Sequence, residues 1–233
     1  MANSKEPIFR IGSALFNADH GHLADEIERI KSAGIDFIHF DVFDGYFVSE
    51  MGFPPKTIEN LRPLTKLPFE IHLGANDPLR FMPPLRKAGA DLVLFHFESV
   101  AMPFEAVFKA KEKGIKVGLA VTLGTEISLL NPVIELLDSV LLLSRVTGEG
   151  VTGASFDNRV FSQLDGLAKM IKGKNLTLDI QVAGGVRRKH LQDLVRAGVS
   201  SVAFGSGLYK ADDMAMEAQA MRDEITKSYK KLD

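Results

Sequence analysis

Two rhythms of apolar positions alternate along the chain. Stretches with helical spacing end in a basic residue and a glycine, and short runs that are apolar on both faces follow. The junction reads Lys31-Ser32-Ala33-Gly34 before Asp36-Phe37-Ile38-His39-Phe40, and Lys87-Ala88-Gly89 before Leu92-Val93-Leu94-Phe95. It returns as Lys113-Gly114 before Lys116-Val117-Gly118-Leu119, and as Arg196-Ala197-Gly198 before Ser201-Val202-Ala203-Phe204. A glycine there takes the left-handed conformation that ends a helix, and the cation sits at the negative end of the helix dipole. Runs apolar on both faces are the mark of parallel strands covered by helices. The spacing predicts strands at 8–15, 36–42, 68–74, 91–96, 116–122, 139–144, 176–182 and 200–204. Helices are predicted at 19–33, 54–62, 77–88, 102–113, 126–136, 157–172, 187–197 and 212–230. Eight strand–helix units in 233 residues, with no linker-like segment between them, predict an α/β chain folded as one (β/α)8 (TIM) barrel over 1–233 with a short N-terminal extension at 1–6.

Composition narrows the function. A formal net charge of −2 gives no reason to expect a nucleic-acid surface or a polybasic membrane patch. The chain has no cysteine, so thiolate nucleophiles, thiolate metal sites and disulfides are excluded. No apolar run approaches a membrane span and the first residues lack a signal core, so a cytoplasmic protein is expected.

In barrels of this kind the chemistry collects where the strands end. The second strand ends His39-Phe40-Asp41-Val42-Phe43-Asp44-Gly45, and alternation puts His39 and Asp41 on one face. The third ends Glu70-Ile71-His72-Leu73, bringing a second imidazole alongside. Two imidazoles and a carboxylate are a plausible ligand set for one divalent ion, and zinc, iron, cobalt and manganese all suit it. His96 also ends a strand, as a substrate contact or a satisfied wall residue. His20 and His22 are expected to meet solvent or cap a helix, and His190 to lie on the surface of the seventh helix. Glycine-rich turns at Gly148–Gly153, Gly184-Gly185 and Gly205-Ser206-Gly207 offer backbone N–H groups to a phosphate after the later strands.

With these residues in place, the chain resembles the ribulose-phosphate 3-epimerase family over nearly its whole length. The likeness rests on Asn17-Ala18-Asp19, the His39–Gly45 segment, Ile71-His72-Leu73, Gly184-Gly185-Val186 and Gly205-Ser206. The resemblance implies a metal on His39, Asp41 and His72, with Asp41 as a catalytic acid/base. It implies a phosphate held around Gly153, Gly184, Gly185, Gly205 and Ser206, a small phosphorylated sugar as the partner, and a homo-oligomer. The implied reaction is epimerisation of a phosphorylated ketose through an enediolate.

The chain also departs from the family pattern. The family's second catalytic aspartate falls on Ala183, and its active-site serine on Ala14, leaving Ser13, next to it, as the candidate substrate contact. Pocket methionines become Phe43, Gly74 and Leu143, an Asn-Pro becomes Thr122-Leu123, and a longer loop carries Arg145 and Glu149. An epimerase would then need a replacement acid, with Glu149 or a metal-bound water as the candidates. Alternatives are a ketose-phosphate isomerase using Asp41 on one face, or a sugar-phosphate-binding relative without activity.

Overall fold

In the computed structural model, which describes residues 9–145 and 155–231, the strands hydrogen-bond in sequence order into a closed parallel barrel. They are β1 (Arg10–Ala14), β2 (Phe37–Phe43), β3 (Phe69–Gly74), β4 (Leu92–His96), β5 (Lys116–Val121), β6 (Ser139–Leu143), β7 (Asp179–Ala183) and β8 (Ser201–Phe204). The described helices are α1 (Leu23–Ser32), α2 (Pro55–Leu61), α3 (Met82–Lys87), α4 (Pro103–Lys111), α5 (Val160–Gly173), α6 (Leu191–Arg196), α7 (Ser206–Tyr209) and α8 (Met214–Tyr229). The extension expected at 1–6 lies outside the described residues.

The glycine junctions behave as their sequence predicts. Gly34, Gly89, Gly114 and Gly198 all have positive φ, between 67° and 87°. The helix expected at 126–136 does not form. Two 3-10 turns, Ile127–Leu130 and Ile134–Leu136, stand in its place. Pro132 falls between them, and a proline inside a helix removes a backbone donor and clashes with the preceding turn. Ile127, Leu130, Val133 and Ile134 still cover the barrel.

A fourfold device closes the base of the barrel. Asp36, just before β2, accepts the Ile11 N–H of β1 at 2.7 Å. Asp91, before β4, accepts from Phe69 of β3 at 2.7 Å, and Asp138, before β6, from Val117 of β5 at 2.8 Å. Ser200, before β8, accepts from Ile180 of β7 at 2.9 Å. Each odd strand thus has its first buried N–H satisfied by the polar residue that precedes the next strand.

Two apolar cores result. The larger one lies between strands and helices, and a smaller one fills the barrel with Phe37, Leu94, Ala120, Leu141, Leu143, Ala183 and Ala203. Gly12 makes the inner one possible: a Cβ there would lie 2.2 Å from Cζ of Phe37, whose fully buried ring occupies that space. Arg10 pairs with Asp179 beneath it, its guanidinium 5.2 Å from the Phe37 ring centre.

Candidate active site

Parallel pairing of β2 with β3 sets Asp41 beside His72 in register. The Nδ1 of His72 lies 3.0 Å from Oδ1 of Asp41, and the Nε2 of His39 lies 3.6 Å from the same oxygen. One donor atom from each of the three falls within 4.8 Å of the others, so His39, Asp41 and His72 form a group able to hold a metal ion.

The other ring nitrogen of each histidine is already engaged. Nδ1 of His39 donates to Oε1 of Glu70 at 2.8 Å, and the other oxygen of Glu70 accepts from Gln181 Nε2 at 2.6 Å. Nε2 of His72 meets Nε2 of His96 at 2.8 Å, and Nδ1 of His96 meets Oε2 of Glu98 at 3.2 Å. Metal-binding histidines are normally oriented this way, through the nitrogen that does not bind. The donor set therefore fits a divalent cation, with Nε2 of His39 and Nδ1 of His72 facing Asp41.

The electrostatics follow from this crowding. Burial opposes a charge on His39, but Asp41 and Glu70 outweigh it and push the imidazole up to about 10. Burial also opposes ionisation of Asp41, yet His39 and His72 hold its carboxyl well below the usual carboxylate range. For His72 burial wins, and the ring is pushed down to about 4 despite Asp41. A buried imidazolium set between carboxylates is an arrangement a site of this kind tolerates.

Across the mouth lie the glycine turns. Gly184 and Gly185 follow β7 with φ of 102° and 70°, and Gly205 links β8 to α7, which begins at Ser206. The guanidinium of Arg187 donates to Oγ of Ser206 at 2.8 Å and to the Val186 carbonyl at 3.0 Å. The aliphatic stem of Arg145 lies over Gly184, where a Cβ would come within 2.8 Å of Cγ.

The sequence model of the ribulose-phosphate 3 epimerase family matches residues 10–209. The chain belongs to that family. It is thereby placed among isomerase-class enzymes, the racemases and epimerases. The ribulose-phosphate 3-epimerase of Bacillus subtilis is 32% identical over 208 residues, which are 88% of this chain and 94% of that protein. The chloroplastic ribulose-5-phosphate-3-epimerase of Arabidopsis thaliana is 32% identical over 207 residues, 88% of this chain and 73% of that one. Among solved structures, 3-hexulose-6-phosphate synthase from Salmonella typhimurium is similar with a TM-score of 0.66 at 19% identity, over 94% of this chain and 99% of that one. KGPDC from Streptococcus mutans is similar with a TM-score of 0.64 at 18% identity, over 95% of this chain and 99% of that one. These two establish the barrel alone.

Against the epimerase family's pattern, several side chains call for comment. Ser13 does not face the mouth. Its neighbour Ala14 is the residue paired with His39, while Ser13 is paired with Ile38 and points toward the helices, where its Oγ meets the Tyr209 hydroxyl at 2.8 Å. Adjacent strand residues face opposite ways, so moving the candidate by one position reversed its direction. Ala183 does face inward, in the same small core as Leu143 and Ala203. Phe43 and Gly74 are one change rather than two: a Cβ on Gly74 would come within 2.8 Å of the Phe43 ring, which packs edge-on against His72. Gly153 and Glu149 lie outside the described residues.

The remaining histidines divide. His96 is buried and joins the cluster through His72. His22 stands at the start of α1 without capping it, and meets Asp19 at 2.9 Å. His20 is exposed and stacks on Phe53. His190 is not a plain surface residue of a helix; it sits in a 3-10 turn, half-buried, stacked on Phe156 with ring centres 4.1 Å apart. Sequence reasoning gave no role to Glu70 or Glu98. Glu70 was detectable in principle, because it shares the inner face of β3 with His72 two residues on. Among the described residues no helix is long and apolar enough to cross a membrane.

Proposed function

We propose that this family member epimerises a phosphorylated ketose at the carbon beside its carbonyl, with Asp41 as the base. The convergence of Asp41 with two oriented imidazoles carries this reading. His39, Asp41 and His72 would hold a zinc, iron, cobalt or manganese ion. Such an ion supplies Lewis acidity to the oxygens that bear the negative charge of an enediolate. Asp41 is held ionised by His39 and His72, the protonation state from which a base must start. Backbone N–H groups at Gly184, Gly185, Gly205 and Ser206 would seat the phosphate, with the Arg187 guanidinium adding charge beside them. Phe43 and Phe47, packed on His72 and His96, would keep water from the reacting carbon.

Inversion requires a proton from the face opposite Asp41. On that side the described inner wall is Leu143, Ala183 and Ala203. The donor in this reading is Glu149 or a water molecule. The same one-sided distribution favours a second reading, a ketose-phosphate isomerase in which Asp41 moves a proton between neighbouring carbons on one face.

Incubation with ribulose 5-phosphate in deuterated water, followed by NMR, separates these readings. Deuterium at one carbon with inversion is the epimerase result. Proton movement to the neighbouring carbon is the isomerase result. No exchange with either the metal-loaded or the metal-free protein would leave a sugar-phosphate binder and overturn both.

A further inference from the structure

Glu98 touches none of the three metal-binding candidates, yet it is tied to His72 through a chain of hydrogen bonds that runs between two carboxylates, Glu98 and Asp41. Its Oε1 accepts from the Thr122 N–H at 2.9 Å, from the Thr122 hydroxyl at 2.9 Å and from the Thr125 hydroxyl. Its Oε2 faces Nδ1 of His96 at 3.2 Å. A carboxylate only accepts, and this one is held at about 2: burial opposes its charge, but His96 and the threonines outweigh that. The proton in the contact therefore sits on Nδ1 of His96. When a cation takes the Nδ1 lone pair of His72, the proton of that ring is on Nε2, and the 2.8 Å contact is satisfied only if Nε2 of His96 accepts it. Without a cation the same Nδ1 lies 3.0 Å from Oδ1 of Asp41, which also only accepts, so a proton stands there and a cation must displace it. His96 is buried and lies under the Phe47 ring, centres 4.9 Å apart, so solvent does not compete for either of its nitrogens.

We infer that Glu98 is a positioning residue: by fixing a proton on Nδ1 of His96 it leaves Nε2 of His96 to accept from His72 in the one tautomer able to bind a cation at the His39–Asp41–His72 group. The inference rests on the metal-site reading proposed above. The Thr122 N–H makes it testable. That group can only donate, so a glutamine at 98 must turn its amide oxygen toward Thr122 and its NH2 toward His96. Each bond in the chain then reverses: His96 accepts at Nδ1 and donates from Nε2, and His72 accepts at Nε2 and holds its proton on Nδ1. The ligand atom is blocked with no atom of the cluster removed.

The test is cobalt(II) and zinc(II) binding to metal-stripped wild type and Glu98→Gln, measured by competition with a chromophoric chelator. Affinity about 10–100-fold weaker in Glu98→Gln is expected, the usual range for losing an orienting partner. Affinity equal within twofold would overturn the relay. Absence of metal binding by the wild type would instead overturn the metal-site reading beneath it. If Glu98→Gln does not fold, 15N NMR of histidine-labelled, zinc-loaded wild type decides. A proton on Nδ1 of His96, with Nε2 accepting, is expected, and a proton on Nε2 of His96 would sink the proposal. A residue that merely braced the β4–β5 turn would change the melting temperature and leave both readouts unmoved.

Discussion

The inner wall of the barrel has two halves built on one backbone. From β2 to β4 its inward positions include His39, Asp41, Glu70, His72 and His96; from β5 to β8 they include Ala120, Leu141, Leu143, Ala183 and Ala203. Both halves are buried and both are flanked by the same helix layer. Near the mouth the apolar half is satisfied by volume; its polar residues, Asp179, Gln181, Ser139 and Ser201, lie deeper in the barrel. In the polar half every ring nitrogen and every carboxylate needs a named partner, because an unpaired buried charge costs far more than a void. Burial alone therefore says nothing about function here; what distinguishes the active half is that its groups are arranged to satisfy one another while leaving two nitrogens aimed at one carboxylate.

The comparison can be broken most severely at Asp41. Asp41→Asn is expected to lower deuterium exchange into a ketose phosphate by about 10²–10⁴-fold with circular dichroism unchanged. Surviving exchange would move the base elsewhere. Next come paired truncations. Glu70→Ala removes the acceptor at Nδ1 of the buried His39 cation and should cost about 3–5 kcal/mol in denaturant unfolding. Leu141→Ala should cost about 2–5 kcal/mol by opening a cavity.

Their pH profiles should differ even where their magnitudes agree. In metal-free protein the folded His39 value, about 10, exceeds 6.5, so its contribution is complete below pH 6.5 and fades as pH rises toward 10. Asp41 lies below 3.8, so its contribution is complete above that pH and fades as pH falls. Leu141→Ala should lower the whole profile evenly, whereas Glu70→Ala should flatten its alkaline side. Ala183→Asp would plant a carboxylate in the apolar half. It should tighten cobalt binding and lower metal-free stability by about 1–3 kcal/mol. Unchanged cobalt affinity would place residue 183 away from the ion. The smallest effect is expected at the turn after β7 proposed to seat the phosphate, where Gly185→Ala forces a side chain to φ 70° at about 1–2 kcal/mol and should weaken phosphate binding, as read by calorimetry.

Much of this was legible in the chain before any coordinates. The glycine junctions located strands because a left-handed cap is a local property of the residues that make it. His39, Asp41 and His72 were legible because alternation and strand order are enough to bring them together. Ser13 was misread because a strand face depends on exact register, and one position separates inside from outside. The helix at 126–136 was misread because its apolar spacing outweighed Pro132, and two short turns cover the barrel as well as one helix does. The roles of Glu70 and Glu98 depend on partners 31 and 24 positions away, His39 and Thr122, and so on pairing across strands that spacing within one strand does not reveal.

The ring of Phe37, lodged where Gly12 has no side chain, stops the barrel like the base of a cup. Anything that reaches the histidine cluster must come and go by a single opening. Two sugars differing at one carbon would then queue for one doorway and exclude each other from it, and the traffic outside, not any one-way passage through the protein, would decide which is made.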